Sequence, residues 1–164
     1  MSIGKQLIER LRELGPADTQ PLSVADAGLS AELAFFDRDR YSATLRDLTV
    51  GTGGAAPADA RGYLSAAAAA AARRLSFLEE PLAVWELDGG EGMAQLRSSP
   101  PQRDAGEVSY WEVTLWAAEP RAQVARYRWA PGMAEREALA YPATFALLGR
   151  MADALADALR EPGA

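Results

Sequence analysis

Seven consecutive alanines, Ala66 to Ala72, stand in the middle of this 164-residue chain, between two stretches in which apolar and polar residues alternate. Alanine is the best helix former, because its side chain loses no rotamer freedom and buries no polar group. Alternation with a period of two marks a strand with one buried side. The alanine run therefore predicts a long helix over 57–80, with Pro57 suited to its first position and Pro81 ending it. Strand hairpins on both sides of one helix imply an α+β fold with an antiparallel sheet rather than a strand–helix alternation.

The remaining elements follow from the same periodicities. Ile3, Leu7, Ile8, Leu11 and Leu14 predict a helix over 3–14, capped by Ser2 and stopped by Gly15-Pro16. Leu29, Ala31, Leu33 and Phe35 alternate along a first strand. Asp37-Arg38-Asp39-Arg40 reads as a polar turn, and Tyr41, Ala43 and Leu45 open a second strand running toward Val50. Four strands are expected after the long helix, at 82–87, 93–98, 108–117 and 122–129. A closing helix over 142–160 carries the stripe Phe145, Leu148, Met151, Leu155 and Leu159. The expected order is α-β-β-α-β-β-β-β-α in a single domain over 1–164.

Alternation also sorts the sides of the last four strands. Ala83, Trp85, Leu87, Ala94, Leu96, Trp111, Val113, Leu115, Ala125, Tyr127 and Trp129 are expected to face the core. Val84, Glu86, Gln95, Arg97, Tyr110, Glu112, Thr114, Trp116, Val124, Arg126 and Arg128 are expected on the other side, which an antiparallel sheet can leave in water. Within that second set, Tyr110, Trp116, Arg97, Arg126 and Arg128 form the candidate partner-binding face, since aromatic residues and arginine are enriched at binding hot spots. The competing reading is a solvent-facing set of cross-strand ion pairs, or a side covered by the first helix.

Composition narrows the chemistry. The chain has no histidine, no cysteine and no asparagine, and Lys5 is its one lysine. Without histidine the usual general base near neutral pH is missing, and with it the Ser-His-Asp constellation. Without histidine or thiol the common zinc and thiolate sites are missing as well. No catalytic residue, metal ligand or cofactor-binding residue is therefore assigned. The net charge of −6 argues against a nucleic-acid partner. No apolar run reaches the ~20 residues that span a bilayer, no signal peptide is evident at Met1-Ser2-Ile3-Gly4-Lys5, and a cytoplasmic protein without a membrane partner is expected.

Two local patterns invite a functional reading. Gly51-Thr52-Gly53-Gly54-Ala55-Ala56 matches the loose dinucleotide pattern G-x-G-x-x-A. The strand before it belongs to a hairpin, and Pro57 falls where a nucleotide helix would already be running, so the segment reads as a connector. Asp37 and Asp39 could offer oxygens to magnesium, but Arg38 and Arg40 neutralise them locally, and a solvated turn is the better account.

The layout of an amphipathic first helix, strands, a long middle helix, further strands and a closing helix resembles the type III secretion chaperone-like fold, which includes the Tir-chaperone and YbjN-like families. The resemblance runs over residues 3–14, 29–50, 58–80, 82–129 and 142–160 and rests on layout, size and acidity, with no sequence motif. The family pattern has about three strands before the middle helix, where the periodicity here gives two, and about two after it, where it gives four. The likeness implies a homodimer that binds an extended segment of a partner protein on apolar surface, and it implies no catalytic residues.

The expectation is thus a non-enzymatic protein- or peptide-binding domain. The alternative is a small-ligand binder or a carboxylate/arginine-based enzyme with a pocket between helix and sheet. A third is a structural or regulatory module without a ligand. For self-association, part of 61–78 is expected to pack on the same helix of a second copy through Ala68 and Ala71, against the simpler reading that the alanines let the helix lie close on its own sheet.

Overall fold

The computed structural model describes residues 1–15, 18 and 20–163. The fold is α+β: three helices lie on one side of a ten-stranded antiparallel sheet. The elements are α1 (Ile3–Glu13), β1 (Leu22–Asp26), β2 (Leu29–Arg38), β3 (Ser42–Gly51), α2 (Ala60–Arg74), β4 (Leu82–Asp88), β5 (Met93–Ser98), β6 (Gln102–Asp104), β7 (Glu107–Trp116), β8 (Arg121–Trp129), β9 (Glu137–Ala138), β10 (Tyr141–Thr144) and α3 (Phe145–Arg160). Pro16, the expected stop of the first helix, lies outside the described residues.

The main sheet runs β1-β2-β3-β8-β7-β5-β4. It consists of two meanders joined where β3 meets β8, from Asp47↔Ala125 to Gly51↔Arg121. Beyond that joint the two strands part. β10 takes the freed side of β3, and β9 takes the freed side of β8. These short strands, together with β1 and β6, are the elements the periodicity missed. β6, β9 and β10 are too short to show an alternation, β1 alternates over only five residues, and Pro142 within β10 reads as a helix start although it sits in a strand ending at the α3 cap Thr144.

The helices divide the sheet between them. α1 packs on β1 and β2, α3 on β3, β8 and β10, and α2 on β4, β5 and β7, with α3 touching both other helices. The two-layer core includes Leu7, Leu11, Leu33, Leu45, Leu48, Leu64, Leu96, Trp111, Leu115, Leu148 and Met151. Where the enzyme reading expected a pocket between helix and sheet, a cavity of about 630 Å³ opens between the start of α2 and the end of β4, lined by Asp59, Arg61, Glu86 and Asp88 among others. α2 begins at the cap Asp59 rather than at Pro57, and it ends at Arg74, short of the expected 80. Its alanines Ala67, Ala68, Ala70 and Ala71 are fully buried against the chain's own core. Small side chains let the helix lie close on the sheet and α3, where Tyr63 Oη donates to Leu159 O at 2.7 Å. Among the described residues, no helix is long and apolar enough to cross a membrane.

α1 and α3 approach each other closely where Gly4 meets Gly149. A Cβ on Gly4 would come within 2.1 Å of Gly149 O, and one on Gly149 within 2.5 Å of Ile8 Cδ1. Neither helix could keep this position with a larger residue at the crossing. The Gly4 amide donates to Asp153 Oδ1 at 2.8 Å.

Candidate functional site

The sheet side away from the helices carries the polar and aromatic residues that the fold leaves without a covering element. Pairing fixes which residues share it. Arg97 lies opposite Glu112 and Gln95 opposite Thr114. Tyr110 lies opposite Tyr127, Glu112 opposite Ala125 and Trp116 opposite Arg121. The expected sides of β5 and β7 hold. Those of β8 are reversed: Ala122 and Val124 are fully buried beneath the helices, and Arg126 shares that side with Trp111. Tyr127 and Trp129 stand on the open side, and Trp129 is 38% exposed. The aromatic residues at 127 and 129 suggested a core alternation. Only the first half of β8 lies under a helix, so in its second half that alternation no longer reports burial.

The assignment in β4 also changes. A register shift between Val84 and Glu86 inserts one residue, so Leu82 and Leu87 both face the helices although five positions separate them. Trp85, expected in the core, is 67% exposed instead. A bulge of this kind breaks the period on which the reading of faces rests.

The five candidate residues therefore divide. Tyr110, Arg97 and Trp116 share the open side. Arg126 lies on the helix side, 4% exposed, where its guanidinium meets Glu80 Oε2 at 2.9 Å and Ser109 Oγ at 3.1 Å. Arg128, also on the helix-side parity but past the helices, pairs with Glu137 at 2.8 Å and Glu107 at 3.2 Å. These carboxylates hold its guanidinium above its ordinary pKa, the Glu137 hydrogen bond most strongly.

On the open side the residues form a ladder across four strands. The Arg97 guanidinium stands 4.8 Å from the Trp85 ring centroid and 5.2 Å from that of Tyr110. Tyr110 and Tyr127 lie 6.2 Å apart, and the Arg136 guanidinium stands 3.7 Å over Tyr127. Glu112 is the hub, only 4% exposed. It accepts from Arg97 Nε at 3.0 Å and from both terminal nitrogens of Arg136 at 2.8 Å. The paired Glu112 hydrogen bonds raise the Arg136 pKa well above its ordinary value against the opposing effect of burial. Burial raises the Tyr127 hydroxyl as well, with Arg136 opposing. Arg136 escaped the sequence reading because it lies in the irregular stretch between β8 and β10, where no period assigns a side.

Two guanidinia converge on one carboxylate, so the oxygens of Glu112 are taken up as acceptors of charge-assisted hydrogen bonds. Asp47, on the same side at the β3–β8 joint, has its carboxyl raised chiefly by burial, with Glu32 adding and Arg46 opposing. Among the described residues no three carboxylates gather closely enough to hold a metal ion. Comparisons with protein-family models, with curated proteins and with solved structures find nothing that matches this chain.

Proposed function

We propose that this chain is a non-enzymatic domain that binds an extended segment of another protein along strand β4 and the adjoining open side of the sheet. The observation that carries the reading is the character of β4. It is an edge strand of the main sheet, and Val84 and Trp85 stand 52% and 67% exposed on it. A free strand edge offers backbone donors and acceptors in the spacing of an extended chain, so an extended segment is the occupant that edge selects. Trp85, stacked on Arg97, adds an anchor of the type that dominates binding energies. Left uncovered, such an edge is also an aggregation hazard, which a partner would remove.

The layout adds to this. Three strands precede α2, as in the secretion chaperone-like pattern, while the strands after α2 outnumber that pattern. A homodimer through α2 would meet on its exposed strip of Gly62, Ser65, Ala66 and Ala69, because Ala68 and Ala71 are occupied within the chain.

The test uses a displayed library of random linear peptides selected on the full chain. The expected result is enrichment of apolar, β-prone sequences whose binding falls at least about tenfold in Trp85→Ala and in Val84→Lys, the scale of a lost hot spot. Both side chains are exposed, so both variants keep the fold. Failure to enrich any sequence, or enriched peptides that bind both variants undiminished, would overturn the proposal.

A further inference from the structure

Where α1 ends and α3 begins, the chain leaves a cavity of about 500 Å³, lined by Arg12, Arg38, Arg40, Tyr41 and the first residues of α3. Seven other arginines are tied to carboxylates at 3.7 Å or less: Arg73, Arg74, Arg97, Arg126, Arg128, Arg136 and Arg160. Among the described residues, none of the three arginines of this corner has such a partner. The neighbouring Asp39 is engaged elsewhere. Its carboxylate accepts from Tyr41 N and Ser42 N at 2.8 Å each and from Ser42 Oγ at 2.9 Å. Asp37 is exposed and forms no ion pair among the described residues.

Arg38 carries the strongest sign. One terminal nitrogen donates to Leu14 O at the end of α1 and the other to Asp39 O at 3.1 Å. Its Nε is the one buried side-chain polar atom without a hydrogen-bond partner among the described residues. Buried donors are normally satisfied, and an orphan on a charged group calls for an acceptor. The cavity is also bounded by Thr144, Phe145 and Ala146, so the positive end of the 16-residue helix α3 adds to the same field.

We propose that this corner is a binding site for a small anion bearing two linked phosphate groups, held by the guanidinia of Arg12 and Arg40 with the Arg38 charge behind them. A single carboxylate fills one guanidinium fork. Two free forks, the Arg38 charge behind them and a helix start match the several oxygens and multiple negative charges of a diphosphate. The volume falls within the range of small-ligand sites. The whole chain carries −6, so an anion arriving here is drawn by this local charge against the net charge of the protein.

The experiment is calorimetric titration of the full chain with sodium pyrophosphate at low salt. Saturable binding of one pyrophosphate per chain is expected, weakened at least about tenfold in Arg12→Gln and in Arg40→Gln, each of which removes a charge-assisted fork. Both residues are exposed, so these variants keep the fold, which near-ultraviolet circular dichroism checks. Arg61→Gln, which removes an exposed and unpaired arginine at the far end of α2, is expected to leave the affinity unchanged. Three results would each overturn the proposal: no saturation by about 1 mM, the weak end of specific affinities; equal weakening by all three variants; or tighter binding of a poly-glutamate peptide than of pyrophosphate. None of these outcomes bears on peptide capture at β4, which uses other residues.

Discussion

Both sides of the sheet bury a carboxylate–arginine contact, and they do so by opposite means. On the helix side the buried partner is the cation: Arg126 is sealed beneath the elements around it, and Glu80 reaches in from the turn after α2. On the open side the buried partner is the anion: Glu112 lies under no helix, and the side chains of Arg97 and Arg136 cover it. The Trp111 and Tyr141 rings and the turn after α2 surround the first contact, whereas the arginine side chains themselves shield the second. The first pair therefore depends on the fold's packing. The second keeps its arginines about a third or less exposed, where either can exchange a protein partner for water.

The largest expected effect tests whether the helix side is as closed as it looks. Ala68→Glu forces a charge into a site with no exposure, and a loss of about 4 kcal/mol or more is expected, enough to unfold a domain of ordinary stability. Ala69→Glu, one residue along on the exposed strip of α2, should change stability by no more than about 0.5 kcal/mol. Urea unfolding measures both. Sedimentation of Ala69→Glu beside the parent chain shows whether that strip holds a second copy.

A matched pair of substitutions addresses the two contacts directly. Arg126→Met strands Glu80 beside the core and should cost about 3 kcal/mol, the scale of breaking a buried pair. Arg136→Met leaves Glu112 still bonded to Arg97 and should cost about 1 kcal/mol, near the net worth of one hydrogen-bonded contact. Equal losses in urea unfolding would mean that the open side is sealed as firmly as the helix side.

The smallest effect concerns pH. Asp47 has a folded-state pKa above its unfolded one, so the native state favours its protonated form. Its ionisation weakens the fold at neutral pH, and that penalty disappears as pH falls below the usual carboxylate range. Asp47→Asn should therefore be the more stable chain at pH 7, by no more than about 0.5 kcal/mol, and the advantage should vanish near pH 3. Thermal unfolding across that range checks the sign. A parent chain more stable than Asp47→Asn at pH 7 would show that Asp47 has a partner on the open side.

The architecture was legible wherever a period ran long enough under a uniform covering. α1, α3 and the sides of β5 and β7 follow the apolar spacing, because one helix layer buries every second residue there. The reading failed where that condition ended. β4 carries a bulge, β8 outruns its helix, and β9 and β10 are too short to repeat. Of the candidate face, Arg97, Tyr110 and Trp116 were placed together by parity alone, and Arg126 and Arg128 were misplaced by the same β8 reversal. Arg136 and Glu80 lie outside the sheet's periodic strands and carried no signal of side. The residues of the arginine corner were visible as a polar turn, but their convergence with Arg12 and the start of α3 depends on contacts between distant parts of the chain.

The glycine crossing of α1 and α3 bears on how the chain reaches this state. Gly4 and Gly149 lie 145 positions apart in sequence, and the Gly4 amide finds its acceptor on Asp153. On the ribosome, the first helix must therefore wait for the last one to emerge before either can seat. Contacts of such long sequence separation slow folding, since a large loop must close before they form. The first meander, β1-β2-β3, can pair early, but its apolar side stays open until α3 has been made. Nascent chains stalled before residue 145 should thus be held in a protease-sensitive form, and protection should appear abruptly once α3 has left the exit tunnel.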